Sequence, residues 1–115
     1  MSESPYKSSI RKGKWELRKI FNEERFAERA ENGELRLDIK RSKEVLTAKV
    51  KDWIPGTHSQ ELRFYDENNL LVAKAHRYLR PDGKLAASGL IDPKRVLRDD
   101  IMYILDETVD DDDVE

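Results

Sequence analysis

Gln60-Glu61-Leu62-Arg63-Phe64-Tyr65 is followed, after Asp66-Glu67-Asn68-Asn69, by Leu70-Leu71-Val72-Ala73-Lys74-Ala75-His76-Arg77-Tyr78-Leu79-Arg80. Both runs alternate in polarity with a period of two, the spacing of a strand with one buried face. The Asn-rich link between them predicts a hairpin turn, because Asn tolerates positive φ. In the first run Leu62 and Phe64 point inward, while Glu61, Arg63 and Tyr65 point outward. In the second, Leu71, Ala73, Ala75 and Leu79 share one face, interrupted by Arg77. Val72, Lys74, His76, Tyr78 and Arg80 share the other.

Working outward, Leu35, Leu37 and Ile39 alternate with Arg36, Asp38 and Lys40, which predicts another strand. Arg41-Ser42-Lys43 reads as a turn into a strand over Glu44–Lys51, and Asp52–Ser59, with its Pro-Gly, reads as a loop. Leu37, Ile39, Phe64 and Ala75 are expected on the buried side of the resulting sheet. Arg80-Pro81-Asp82-Gly83 suits a type I turn, after which Lys84–Leu90 can pair back as a short strand. Short connections between four strands favour an antiparallel meander.

The flanks are read as helices. Ile10–Phe21 is open between helix and strand: Leu17, Ile20 and Phe21 cluster on a helical wheel, but Trp15 and Phe26 fall opposite. Asn22 is read as the cap of a second helix whose apolar residues are Phe26, Ala27 and Ala30, ending at Asn32-Gly33. Asp92-Pro93 opens a C-terminal helix in which Leu97, Ile101, Ile104 and Leu105 form one stripe. A rival parse ends that helix near Arg98 and makes Ile101–Leu105 a strand. The expected fold is therefore α+β: a single domain over residues 10–105, an antiparallel sheet of about four strands, and flanking N- and C-terminal helices. Residues 1–9 are expected as a disordered arm and 106–115 as an acidic disordered tail.

Composition bounds the function. At 115 residues the chain matches one domain of roughly 100–150 residues. Charged residues make up 40% of it, so the core is small and the surface heavily solvated. There is no cysteine, which excludes disulfides and thiolate metal sites. No run approaches the ~20 apolar residues of a membrane span and none resembles a signal peptide, so a soluble, cytoplasmic protein with no membrane partner is expected. The net charge of −2 hides an asymmetry. Seven acids and no base lie in 106–115, leaving 17 acidic against 22 basic residues, a balance of +5, in the body.

The outward rows of the central hairpin bring Arg63, Tyr65, Lys74, His76, Tyr78 and Arg80 together, with Glu61 at the margin. Cations suit phosphates and tyrosines suit unpaired bases, so nucleic acid or a nucleoprotein is the expected partner. The plainer reading is an ordinary solvated sheet face. His76 is also the candidate acid or base of a metal-independent RNA cleavage, assisted by Lys74, Tyr78, Arg80 and Glu61. A helix followed by an antiparallel sheet resembles the broad outline of small bacterial ribonuclease toxins, a resemblance of architecture without a shared motif. No metal site or cofactor is expected. His58 and His76 are the only histidines, they form no H-x-x-x-H pair, and neither a Walker motif nor G-x-G-x-x-G is present.

The acidic run offers a different class of function, since consecutive carboxylates imitate phosphates. It points to a protein partner engaged through the tail. In size and charge density the chain is similar to phage-encoded inhibitors of nucleic-acid enzymes.

Overall fold

A computed structural model describes residues 6–87 and 90–108. Eight elements follow one another: β1 (Ser8–Lys12), α1 (Lys14–Glu23), α2 (Phe26–Glu31), β2 (Arg36–Glu44), β3 (His58–Tyr65), β4 (Leu71–Leu79), β5 (Asp92–Arg98) and β6 (Ile101–Leu105). The strands form one sheet in the order β1-β6-β5-β4-β3-β2. Every pairing is antiparallel except β1 with β6, which is parallel. The fold is α+β with a mixed six-stranded sheet, which corrects the expected antiparallel sheet of about four strands.

At Leu62, Phe64, Ala73 and Ala75 the central hairpin has the expected inward face, but Val72, expected on the outer face, is buried, and Leu71, expected inward, pairs with Tyr65. Leu62 pairs with Ala75 and Phe64 with Ala73, and all four are buried. A bulge follows at the turn end of the hairpin and carries Val72 into the core as well. Asn69 takes the positive φ that the turn requires, and Asp66 Oδ1 accepts from the Asn68 and Leu70 amides.

The helices cover one side of this sheet, where Leu17, Ile20 and Phe21 of α1 meet Phe26, Phe64 and Val96. The two apolar faces at the N-terminus are resolved by a break between the helices. Asn22 is not a cap; it stays inside α1, and Arg25 takes a left-handed conformation that redirects the chain. Phe26 thereby reaches the same core as Phe21, with ring centroids 5.4 Å apart. The segment left open between helix and strand contains both, because Ser8–Lys12 is β1. That strand takes in residues 8 and 9 of the expected arm, while residues 1–5 lie outside the described residues.

Further expectations are overturned. The C-terminal helix is absent: β5 and β6 are strands joined by Asp99 and Asp100, both at positive φ, as a two-residue hairpin turn demands. Strand pairing satisfies the free edge of β4, whereas a helix would leave it open. Pro93 opens no helix. It is buried in β5 beside a register shift, where a strand tolerates a residue without an N–H.

The expected turn at Arg41-Ser42-Lys43 is a continuation of β2. A bulge between Ile39 and Arg41 absorbs Lys40 and keeps the strand paired as far as Glu44 opposite His58. The expected strand over Glu44–Lys51 is instead a loop over residues 45–57. It is closed by the Val45 amide on the Thr57 carbonyl (2.8 Å), and by Trp53 Nε1 on the Val45 carbonyl (2.7 Å). Of the expected strand over Lys84–Leu90, the described residues contribute a bridge between Leu79 and Leu85.

On the helix side, β2 is incompletely covered. Helix α2 has six residues and leaves Leu37 and Ile39 36% and 48% exposed, although both were expected to be buried.

Candidate nucleic-acid interface

The sheet face away from the core is organised by register. Glu61 lies opposite His76 on β4 and opposite Arg41 on β2. Ser59 lies opposite Tyr78 and Lys43, and Arg63 opposite Lys74 and Asp38. This grid brings Arg63, Lys74, His76 and Tyr78 onto neighbouring strands, and it moves Glu61 from the margin to the centre. Arg63 Nε donates to Glu61 Oε2 (3.0 Å), and Lys74 Nζ lies 3.9 Å from the same oxygen. The Arg63 hydrogen bond, with Lys74 and Arg41 near, holds Glu61 below the usual carboxylate range.

The remaining sequence candidates have internal partners too. Tyr65 carries the Arg36 guanidinium 4.4 Å above its ring. Arg80 turns away to Asp82 (2.5 Å) and the Asp52 carbonyl (3.4 Å), at the junction of the type I turn and the 45–57 loop. It is therefore not brought together with the other five. Tyr78 meets the His76 ring edge-on at 4.7 Å.

His76 Nε2 lies 2.6 Å from Ser59 Oγ, and a neutral imidazole protonated on Nδ1 accepts from that hydroxyl. Burial pushes the His76 pKa down; Lys94 adds to this, and Asp92 and Glu61 oppose it. The stability consequence has a definite sign. The unfolded imidazole takes its proton near the ordinary value of ~6.5, and the folded one takes it only at lower pH. The contribution of neutral His76 is thus fully present above ~6.5 and is lost as pH falls toward the folded value. Urea midpoints between about pH 7.5 and 5 should fall in the native protein and flatten in His76→Gln. Identical slopes in the two proteins would remove His76 as the cause.

Beside His76 the 45–57 loop borders an open cavity of about 560 Å³ on the sheet. Its walls are Arg41, Lys43 and Glu44 of β2, Ser59 and Glu61 of β3, His76 of β4, and Val45, Leu46, Thr47 and Lys49 of the loop. Among the described residues, no carboxylate lies within 4.0 Å of the Arg41, Lys43 or Lys49 charge. Leu46 stands 77% exposed at the rim.

Of the residues singled out in sequence, only His76 and Glu61 line this cavity. Arg41, Lys43, Lys49 and Ser59 were missed. The signal was the Arg-x-Lys alternation running on past Lys40, but the bulge that aims it outward has no local signature. No group of three or more His, Cys, Asp or Glu among the described residues is placed to hold a metal. None of their helices is long and apolar enough to cross a membrane. Comparison with protein-family models, with curated proteins and with solved structures gives no match.

Proposed function

We propose that this protein is a binding module for single-stranded nucleic acid, with a backbone phosphate held in the cavity beside His76. The observation that carries the reading is the set of Arg41, Lys43 and Lys49, three cations with no ion-pair partner among the described residues, around one concave site. Arg63 and Lys74, already bridged by Glu61, contribute less because a ligand must compete with that carboxylate. A base next to the bound phosphate stacks on Tyr78 or lies on Leu46.

Anisotropy titration of labelled oligo-dT and oligo-U tests this. Affinity should fall with salt, and an Arg41→Ala/Lys43→Ala/Lys49→Ala variant should flatten the log–log slope by ~0.7 for each phosphate these residues hold. Tyr78→Ala should cost ~1–3 kcal/mol where a base stacks on it. Absence of binding in dilute buffer, or a triple variant indistinguishable from the native protein, would overturn the proposal.

A metal-independent ribonuclease is the second reading, and its specific support is His76 in the cavity wall, kept neutral by burial. Binding ranks ahead because Glu61, the carboxylate facing His76, is held ionised and has no proton to give a leaving oxygen. Recovering the oligo-U on a denaturing gel separates the two. Shortened product that disappears in His76→Ala would move the assignment to cleavage.

Of the acidic run at 106–115, proposed as a contact for a protein partner, Asp106 is tied to β1 through the Lys12 carbonyl (2.9 Å) and Arg11 (3.5 Å), and 109–115 lie outside the described residues. In the same titration, a chain ending at Thr108 should bind oligonucleotide more tightly in dilute buffer if the run competes for the cationic face. Unchanged affinity would leave the run to a protein partner or to solubility.

A further inference from the structure

A second cavity, about 210 Å³, lies on the helix side of the sheet, walled by Ala27, Ala30, Leu37, Phe64, Ile91 and Arg77. The alternation of β4 dictates that Arg77 faces inward with Ala73 and Ala75. Its Nε donates to Gln60 Oε1 (2.8 Å), and Gln60 Nε2 donates to Ser42 Oγ (3.1 Å), a polar row across β4, β3 and β2. That row fixes the Nε edge of the guanidinium and leaves its charge uncompensated. Among the described residues no carboxylate lies within 4.0 Å of Arg77. Glu31 also lines the cavity and makes no ion pair with it. Burial accordingly pushes the Arg77 pKa down with nothing to oppose it. A partly desolvated cation without a counter-ion is costly, and an anion in the adjoining space would relieve that cost.

The walls define the anion. Five of the seven lining residues are apolar, and Leu37 is left at the mouth because α2 is too short to cover it. One guanidinium neutralises one negative charge. A phosphate dianion would keep excess charge among Leu37, Phe64 and Ile91 and would meet Glu31. The volume equals about seven waters at ~30 Å³ each, the bulk of a small branched acid.

We infer that this cavity is a binding site for a monocarboxylate carried on a short branched aliphatic group, its carboxylate on Arg77 and its apolar part against Phe64, Leu37 and Ile91. Two sources share that chemistry: a free branched-chain acid, and the C-terminal residue of a peptide ending in Leu or Val.

The test is an NMR titration of the full chain with isovalerate, with isovaleramide, and with a short peptide ending in Leu as the free acid or the amide. Isovalerate should shift the resonances of Leu37, Phe64, Arg77 and Ile91, and the uncharged amide should bind about tenfold more weakly or less, having lost a charge-assisted hydrogen bond. A peptide acid that binds more tightly than isovalerate assigns the site to peptide C-termini; the reverse order assigns it to free acids. Arg77→Met should abolish the acid's advantage over the amide, because it removes the guanidinium on which the carboxylate rests. Glu31→Gln should tighten binding of the acid by relieving repulsion. No shifts at these residues with native protein, or equal shifts from acid and amide, would overturn the inference. If Arg77→Met fails to fold, the acid–amide comparison on the native protein still decides.

Discussion

Phe64→Ala should lower the free energy of unfolding by ~3–5 kcal/mol, the cost of deleting a buried aromatic ring from a close-packed site. Phe64 is 1% exposed and is the ring on which both helices converge, with centroids 5.9 Å from Phe21 and 6.1 Å from Phe26. Few other large side chains share the load, because so much of the chain is charged. Against a total stability of ~5–15 kcal/mol for a domain, this one truncation removes a large fraction. It also joins the vacated volume to the 210 Å³ cavity that Phe64 walls, so the gap has few neighbours able to close it. Trp15→Ala is the matched control. Trp15 is 45% exposed at the start of α1, and its removal should cost under ~1 kcal/mol. Urea unfolding followed by far-UV circular dichroism measures both. A loss below ~1 kcal/mol in Phe64→Ala would mean that the helices do not pack on β3 as described.

The second large effect is an asymmetry across the ion pair between Arg18 and Asp92. Arg18 projects from α1 toward β5 with its side chain only 8% exposed, and Asp92 meets it with 36% of its own side chain in water. Arg18 Nε is buried without a hydrogen-bond partner among the described residues, and the guanidinium lies 5.2 Å from the centre of the Trp15 ring. Asp92→Ala strands a buried cation and should cost ~3–5 kcal/mol. Arg18→Met strands only a carboxylate that water already reaches, and the methionine fills much of the space, so its cost should stay within ~1.5 kcal/mol. The double variant should be more stable than Asp92→Ala alone, because the uncompensated charge goes with its partner. Equal losses in the two single variants would show that the pair acts as a surface salt bridge, with neither charge effectively buried.

The distribution of information between sequence and tertiary structure follows the range of the forces involved. The β3–β4 hairpin was legible because side-chain alternation and the Asn69 turn are properties of adjacent residues. The same local rule placed Leu62, Phe64, Ala73 and Ala75 inside, and Lys74, His76 and Tyr78 on the opposite face. It failed at Leu97, Ile101, Ile104 and Leu105, whose spacing fits one helix stripe, whereas in the β5–β6 hairpin Ile104 and Leu105 fall on opposite faces. What decides there is the unpaired edge of β4, together with the positive φ that Asp99 and Asp100 accept.

The candidate site was legible on the β3–β4 hairpin only, through Glu61 and His76. His76 could be placed on the outer face from alternation. Arg41 and Lys43 could not, because a single bulged residue at Lys40 reverses which side chains face outward. Nor did composition show which cations are free. Arg63 and Lys74 lose their freedom to Glu61 across the strand register, and Arg80 loses its own to Asp82 in the following turn. By itself the sequence determined the alternating strands, the hairpin turn and an α+β chain with one cationic face. Only the tertiary structure decided the parallel pairing of β1 with β6, the wall that residues 45–57 raise beside His76, and the lack of a counter-ion for Arg77 among the described residues. Each of these depends on hydrogen bonds or charges brought together across long stretches of chain, and no local periodicity encodes such pairings.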